Sequence, residues 1–296
     1  MPLLAPNVIK KITNRLLEKH FHINAKIITN GYYLTTENLE LLQHCGIKSI
    51  QLTIDGLAES HNRKKFTNTD NNTFNTIIEN IDGFYKMNLD MQMIVRVNID
   101  RNNSSEYNDI FYFFTQRYPD EKKVSISPAL IVEHSKNAHR SSCMLDQVDR
   151  LALLSRHAEA TNNKLAMYPS NAITECAVRN LNCWIFDAKG NAYKCWEIIG
   201  NKDYKVGELT EKGLVITNTK IYNRYLVGED PFESSKCKEC ISLPICIGGG
   251  CPHKRIENKF YKKQFNYCTY FHDKLEEYMM FQYEKKDFED KKIIPQ

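Results

Sequence analysis

The sequence predicts an α/β protein in which a parallel sheet is followed by a small cysteine-rich domain. Strand-like and helix-like patterns alternate from residue 6 to about residue 165, and eight of the ten cysteines lie between Cys176 and Cys268. Alternation of this kind is typical of βαβ units, which build parallel sheets. We therefore predict a first domain over residues 1–169 and a second over residues 170–296, a length that suits two domains of ordinary size.

The individual elements follow from hydrophobic periodicity and from turn residues. Val8, Ile12 and Leu16 recur at helical spacing, whereas Asn30-Gly31 and Asp55-Gly56 end two β-rich segments. The predicted strands cover residues 25–32, 49–55, 92–99 and 123–130. The predicted helices cover about residues 8–21, 35–45, 73–88, 105–117, 144–163 and, as an amphipathic helix near the carboxyl terminus, 269–286.

Polar residues stand at the carboxyl ends of three predicted strands. They are Asn30, then Thr53 with Asp55, and then Arg96 with Asn98. Ligands of parallel sheets bind at this edge. A single such residue is more often a turn residue or a strand-end cap, but three successive strand ends together predict a shared pocket.

Charge and hydropathy exclude several classes of partner. Lys and Arg total 40 against 36 Asp and Glu, and the resulting charge of +4 does not indicate a nucleic-acid partner. No apolar stretch is long enough for a transmembrane helix, so we expect no membrane partner. The amino terminus lacks the pattern of a secretory signal. Ten cysteines without such a signal favour metal-bound thiolates in a reducing cytoplasm over a disulfide framework.

The cysteine-rich segment has the ligand chemistry of a metal module. Its central part reads C-x2-C-x5-C-x4-C. Soft thiolates suit zinc or iron–sulfur clusters, and a zinc ribbon is typically built from two C-x2-C pairs. Only one such pair is present, and eight thiols divide into two sets of four, as two [4Fe–4S] clusters require. The predicted ligands are Cys176, Cys183, Cys195, Cys237, Cys240, Cys246, Cys251 and Cys268.

Other cysteines and histidines are not assigned to a metal. Cys45 falls on the apolar face of its predicted helix and is expected to be a buried small hydrophobic residue. Cys143 has no assigned role. Four histidines lack the spacing of a metal-binding pair and are expected to be surface or capping residues: His61, His134, His139 and His253.

The cysteine spacing resembles the SPASM auxiliary-cluster domain of radical S-adenosylmethionine (SAM) enzymes. In that pattern a cysteine is followed by a glycine, four residues and a second cysteine, as Cys176, Gly190 and Cys195 are here. The remaining cysteines follow in the family's order. One departure is that four residues, not three, separate Cys246 from Cys251.

This resemblance implies two auxiliary clusters with separate ligands. The segments FDAKGNAYKCW (186–196) and SLPICIGGGCP (242–252) resemble the family as well. The first auxiliary cluster would be held by Cys176, Cys195 and Cys251, with Cys183 as a candidate fourth ligand. The second would be held by Cys237, Cys240, Cys246 and Cys268.

The first domain resembles the partial (β/α)6 barrel of radical SAM enzymes from its third strand onward. The similar segments are IITNGY (27–32), IQLTIDG (50–56), HNRKK (61–65) and VRVNID (95–100). Lys65 stands where the family usually has arginine. The resemblance implies a SAM site formed by Asn30, Thr53, Lys65, Arg96 and Asn98.

The sequence lacks the family's C-x3-C-x2-C loop, whose cysteines hold the cluster that cleaves SAM. The opening MPLLAPN resembles a chain cut inside the strand that follows this loop. We therefore expect an amino-terminally truncated radical SAM enzyme with an incomplete barrel, impaired SAM binding and no activity by itself. The alternatives are a non-catalytic, cluster-bearing accessory or peptide-binding protein, and an enzyme whose first strands come from a separate polypeptide.

Family membership would also imply the kind of substrate. SPASM enzymes mostly modify peptides or protein side chains as maturases, so the resemblance implies a peptide or protein substrate and an electron donor. Sulfatase maturases have an aspartate directly after the second SPASM cysteine. Here Trp196 and Glu197 follow Cys195, which argues against that class. Tyr193 and Trp196 are expected to pack around the cluster.

Overall fold

The structure of the protein is a computed structural model that describes most of the chain. The described residues are 2–131, 145, 147–161, 176–246, 251–268, 275–277, 279–280 and 283–284. They form two compact units, of which the first contains residues 2–131 and the second begins at Gln147. The helix over 147–160 thus belongs to the second unit. The predicted boundary at 169–170 lies outside the described residues and stays a prediction.

The first unit alternates helices and strands, as the sequence predicts. Short turns and one-turn helices connect these elements. The helices are α1 (Pro6–Glu18), α2 (Thr36–His44), α3 (Ala58–Lys64), α4 (Thr73–Lys86) and α5 (Tyr107–Arg117). The strands are β1 (Ala25–Thr29), β2 (Ile47–Ile54), β3 (Gln92–Ile99) and β4 (Val124–Leu130).

The four strands form one parallel sheet in the order β1-β2-β3-β4. Every second residue of the central strands is completely buried, including Leu52 in β2 and Val95 in β3, which pair with each other. The intervening residues are half-buried or exposed. Because side chains alternate along a strand, one face of the sheet lies in the core and the other carries the polar residues. This arrangement confirms an α/β fold with a parallel sheet.

Helix α1 forms where the sequence predicts it, but its apolar stripe is exposed. Val8, Ile12 and Leu16 keep 53%, 58% and 37% of their surface exposed, and Thr13 is the buried residue of the helix. Hydrophobic periodicity predicts that a helix forms, whereas its burial depends on the elements that pack against it.

The second unit contains the helix predicted over about residues 144–163, observed over Gln147–Ala160, together with short elements that the sequence did not predict. Its strands form an antiparallel sheet in the order β5-β6-β7-β8. These strands are β5 (Ile185–Phe186), β6 (Asn191–Tyr193), β7 (Gly207–Thr210) and β8 (Gly213–Ile216). The helices are α6 (Gln147–Ala160), α7 (Thr219–Leu226), α8 (Ser235–Lys238), α9 (Leu243–Cys246) and α10 (Pro252–Tyr261). The strands have two to four residues each, which is too few for an alternating pattern to be recognised.

A glycine allows β7 and β8 to approach each other closely. A Cβ atom on Gly207 would lie 2.2 Å from the carbonyl oxygen of Val215, so no other residue fits there without moving the backbone.

The predicted carboxyl-terminal helix, 269–286, lies largely outside the described residues. Those of its residues that are described, 275–277, 279–280 and 283–284, are helical. In the part of the chain that the structure describes, no helix has both the length and the hydrophobicity needed to cross a bilayer.

Candidate functional site

Three polar residues form a row across the parallel sheet of the first unit. Thr53 in β2 pairs with Arg96 in β3, and Arg96 pairs with Ser127 in β4. Asn30 directly follows Thr29, which pairs with Leu52, so Asn30 lies at the end of the same row. The sheet register therefore brings three of the predicted SAM-site residues together. Ser127 was missed because a serine within a strand has no distinctive sequence signal.

Asn30 has a local structural role at the end of β1. Its side-chain oxygen accepts the backbone N–H of Tyr32 at 3.2 Å, and Gly31 adopts a φ of +83°. This is a turn in which the asparagine side chain replaces a backbone acceptor. Asn30 is therefore a turn residue that also lies at the predicted SAM site.

Asp55 organises the polar groups at the end of β2. Its carboxylate accepts a hydrogen bond from Asn98 Nδ2 at 2.8 Å and forms an ion pair with Lys65 Nζ at 2.9 Å. Asn103 Nδ2 donates to the carbonyl oxygens of Asp55 and Asn98, both at 2.8 Å. Two predicted SAM-site residues, Lys65 and Asn98, thus meet at one buried carboxylate. Asn103 was missed because it lies beyond the strand, where asparagine is common in turns.

The turn after Asp55 requires glycine. Gly56 has a φ of +138°, and a Cβ atom there would lie 2.5 Å from Cβ of Ser60. The Ser60 hydroxyl donates to the Glu106 carboxylate, which also accepts the N–H of Leu57 at 3.4 Å. These contacts fix the start of α3, the helix that leads to Lys65.

His61 is completely buried, so its prediction as a surface or capping residue is wrong. Its Nδ1 accepts the backbone N–H of Asp55 at 3.2 Å, and its ring packs edge-on against Phe74. Burial and, to a smaller extent, the nearby Lys65 ammonium together lower the pKa of His61 to about 4, against a small opposing effect of the Asp55 carboxylate. The neutral ring is therefore part of the packing that holds Asp55 in place.

The stability of the first unit is expected to fall between pH 6.5 and pH 4. The unfolded His61 becomes protonated in this range while the folded one stays largely neutral, so proton binding lowers the free energy of the unfolded state relative to the folded state as the pH falls. The shift corresponds to about 3 kcal/mol. Amide hydrogen exchange of β2 and β3 across this pH range measures it.

The substitution His61→Asn keeps an acceptor for the Asp55 N–H and removes this titration. Its stability should therefore depend less steeply on pH than that of the wild type. The exposed His44 provides the control, because His44→Asn should leave the slope unchanged. Equal slopes for all three proteins would contradict this account.

In the second unit, cysteines from distant parts of the sequence come together. Burial is the main cause that raises the pKa of the Cys195 thiol to about 12, and the neighbouring Cys251 and Cys176 contribute to this rise. Burial also raises the pKa of Cys251, to which Cys176 contributes as well. The structure thus groups Cys176, Cys195 and Cys251, the three thiols that the resemblance assigns to one cluster.

Two cysteines of the second predicted ligand set, Cys237 and Cys268, lie near Tyr267. Burial raises the pKa of Tyr267, and the nearby Cys237 and Cys268 also raise it. The backbone N–H of Cys240 donates to the carbonyl oxygen of Cys237 at 3.1 Å. Cys246 is the last residue of the short helix α9, which begins shortly after Cys240 in the chain. These four cysteines are the second predicted ligand set.

Cys183 is anchored by the side chain of a buried lysine. Lys194 Nζ donates to the carbonyl oxygens of Asn180 at 2.6 Å and Cys183 at 2.7 Å. The same ammonium lies 4.7 Å from the ring centroid of Trp184. The loop that carries the candidate fourth ligand is therefore held in place next to Cys195.

The surroundings of Cys195 are apolar. Cys195 belongs to a core cluster with Tyr193, Tyr225 and Ile256. The prediction that Tyr193 packs in this core is confirmed. The same prediction for Trp196 is wrong, because Trp196 is 70% exposed and its indole N–H donates to Glu197.

Two other expectations can be checked in the described residues. Cys45 is buried, as expected, with 2% of its surface exposed. His253 is also buried, contrary to its prediction as a surface or capping residue, and Nδ1 of its ring lies 2.9 Å from the Tyr225 hydroxyl. Cys143, His134 and His139 lie outside the described residues.

A buried ionic cluster joins the segments that carry Cys176 and Cys251. Glu229 pairs with Nε of Arg255 at 2.6 Å and with Nη2 of Arg179 at 3.5 Å. Arg179 ends the one-turn helix that follows Cys176, and Arg255 lies in α10, which begins directly after Cys251. The carboxylate therefore connects two chain segments that each bring one thiol to the first cysteine group.

Comparison with solved structures identifies the fold. No protein-family profile matches the chain, and no curated protein matches it in sequence. The structure of anSMEcpe with bound AdoMet has a TM-score of 0.66 and 16% identity, over 96% of this chain and 78% of that one. The complex of anSMEcpe with AdoMet and the Cp18Cys peptide has a TM-score of 0.65 and 15% identity, over 93% and 80%.

SuiB from Streptococcus suis is also similar in structure. Its TM-score is 0.58 and its identity 15%, over 87% of this chain and 63% of SuiB. At these identities the likeness is one of fold. The chain therefore has the same fold as anSMEcpe and SuiB over most of its length.

Proposed function

We propose that the chain is an iron–sulfur protein of the radical SAM/SPASM type that belongs to the peptide- or protein-modifying maturase class. The observation that carries this proposal is the grouping of Cys176, Cys195 and Cys251, which lie far apart in the sequence. The proposed ligands of one [4Fe–4S] cluster are these three thiols with Cys183. The proposed ligands of the other are Cys237, Cys240, Cys246 and Cys268.

The residues of the second unit fit clusters better than single zinc ions. All nine described cysteines are free of disulfide bonds. Eight cysteines divide into two sets of four, as two four-iron clusters require. A zinc ribbon is typically built from two C-x2-C pairs, of which the sequence contains one. Free thiols also favour a reducing compartment such as the cytoplasm.

The first unit supports binding of SAM at the end of its parallel strands. Thr53, Arg96 and Ser127 form a polar row there, and Asp55 orients Lys65 and Asn98. The exposed guanidinium of Arg96 suits the carboxylate of SAM, and the hydroxyls suit its ribose. Since anSMEcpe has been crystallised with both AdoMet and a peptide, we propose a peptide partner as well.

The chain's own residues would hold and orient these groups. The apolar core around Cys195 would keep water away from the first cysteine group, and the Asp55 carboxylate would hold the side chains of Lys65 and Asn98 in the SAM site. Clusters at the cysteine groups would supply one-electron transfer or an iron site for the substrate. The electrons would come from an external donor.

Iron analysis tests the proposed clusters. Anaerobic reconstitution of the wild type is expected to give about eight irons and an equal amount of sulfide per chain. Cys195→Ser removes one ligand of the first cluster, which should prevent that cluster from forming and reduce the iron to about four per chain. Cys45→Ser is the control and should retain the full amount, because Cys45 is buried in the first unit. Stoichiometric zinc without the visible absorbance of iron–sulfur clusters would refute the proposal.

We further propose that these 296 residues do not cleave SAM by themselves. They contain no C-x3-C-x2-C motif, and reductive cleavage needs an iron with an open coordination site next to the sulfonium. Incubation of the reconstituted chain with SAM and dithionite is therefore expected to yield no 5′-deoxyadenosine by chromatography. Yields above those of an enzyme-free control would contradict this expectation.

The absence of this motif also favours one other candidate function. In this second candidate function, the chain is a non-catalytic, cluster-bearing accessory or peptide-binding protein. SAM binding distinguishes the two, because an accessory protein of this kind has no need of the polar row around Arg96. Equilibrium dialysis with radiolabelled SAM shows which function applies.

A further inference from the structure

Ser242 is a buried polar residue whose hydroxyl forms no hydrogen bond within the part of the chain that the structure describes. It lies between Cys240 and Cys246, and only 1% of its surface is exposed. Within the described part of the chain its Oγ atom has no hydrogen-bond partner. Such a group is costly to bury, and each case calls for an explanation, of which a bound group is one.

The backbone around Ser242 is already satisfied without its side chain. The N–H of Leu243 donates to the carbonyl oxygen of Cys240 at 3.0 Å, and the N–H of Cys246 donates to that of Ser242 at 2.9 Å. Ser242 directly precedes α9, a position where a serine oxygen usually caps the helix. Ser234, which precedes α8, does so by accepting the N–H of Cys237 at 3.4 Å. Ser242 makes no such bond, so capping does not explain its burial.

We propose that the Ser242 hydroxyl donates a hydrogen bond to a sulfur atom of the cluster held by Cys237, Cys240, Cys246 and Cys268. This inference rests on the proposed function. Ser242 lies within the loop that supplies two of these thiolates, and cluster sulfurs are negatively charged acceptors. A hydrogen bond stabilises the reduced cluster more than the oxidised one, because the reduced cluster carries one more negative charge. Ser242 would therefore raise the reduction potential of this cluster.

Redox titration of the reconstituted full chain, followed by electron paramagnetic resonance, tests the proposal. In Ser242→Ala, the midpoint potential of one of the two clusters should become more negative while the other stays at its wild-type value. Ser242→Thr keeps the hydroxyl and should retain both wild-type potentials. The control Ser235→Ala removes an exposed hydroxyl near Cys237 and should shift neither potential.

The stability of the metal-free chain gives a second measurement. Ser242→Ala should be at least as stable as the wild type in denaturant, because it removes a buried hydroxyl that has no partner among the described residues. A loss of stability would show that the protein itself uses the hydroxyl, and would overturn the proposal. Unchanged potentials in Ser242→Ala, with both clusters present, would also overturn the proposal. That result would leave the proposed function intact. A wild type that binds no cluster would overturn both.

Discussion

Replacing Glu229 with glutamine is expected to lower the free energy of unfolding of the second unit by about 3–5 kcal/mol. Glu229 is the buried carboxylate between Arg255 and Arg179, whose side chains are 2% and 12% exposed. Without its negative charge, two buried guanidinium groups lose their shared counter-charge. Breaking a buried pair from one side costs much more than an exposed pair contributes.

The same substitution should also reduce cluster content. Glu229 connects the segments that carry Cys176 and Cys251, so its loss should weaken the first cysteine group and lower the iron per chain after reconstitution. Both tryptophans, Trp184 and Trp196, lie in the second unit. Tryptophan fluorescence of the metal-free chain in denaturant therefore reports on this unit alone.

Glu233→Gln is the matched control for Glu229→Gln. Glu233 pairs with Lys259 of the same helix α10 at 2.6 Å, but its side chain is 63% exposed. An exposed pair is worth about 0.5 kcal/mol or less, and iron content should stay at the wild-type level. Equal losses in the two variants would show that burial of the Glu229 cluster has no special role.

Replacing Asp55 with alanine is expected to weaken SAM binding at least about tenfold, equivalent to roughly 1.4 kcal/mol. Asp55 accepts the hydrogen bond of Asn98 and the ion pair of Lys65, so its loss frees both side chains from their present orientation. Pre-organised binding groups lose affinity when they must be ordered by the ligand. Equilibrium dialysis with radiolabelled SAM measures the change.

The first unit should also become less stable in Asp55→Ala, by about 1–3 kcal/mol. The expected loss in the free energy of unfolding is smaller than for Glu229→Gln because Lys65, the partner of Asp55, is 34% exposed. Water therefore screens part of the interaction. Amide hydrogen exchange of β2 and β3 reports the loss. Asp90→Ala provides the control, since Asp90 pairs with Lys48 at the surface and should affect neither stability nor SAM binding. A wild-type affinity for SAM in Asp55→Ala would refute the role assigned to this network.

Much of the first unit could be predicted from the sequence, because its signals are local. The strand over residues 92–99 was predicted with the observed ends, Gln92 and Ile99, and the other three strands differ by one to three residues at their ends. Helix α3 was missed because its seven residues are too short for a periodic pattern. The exposed apolar stripe of α1 shows that a periodic pattern can predict a helix without predicting its burial. Burial depends on which other element covers the helix.

The buried histidines were mispredicted for a similar reason. His61 and His253 lie in segments rich in charged residues, which favour the surface in a statistical sense. Their burial depends on packing against residues of other elements. For His253, one such residue is Tyr225. For Trp196 the error was in the other direction. Its position next to Cys195 predicted a buried side chain, but the side chain is exposed.

The sequence by itself determined which reactive groups this protein carries. The number of cysteines and their spacing from Cys176 to Cys268 are properties of residue type and order, and they predict soft metal centres. The alternation of strands and helices likewise determined the α/β class. Only the tertiary structure decided which groups meet, namely Thr53 with Arg96 and Ser127, Cys195 with Cys176 and Cys251, and Glu229 with its two arginines. These groupings depend on sheet register and on the packing of distant segments, which local sequence patterns do not encode.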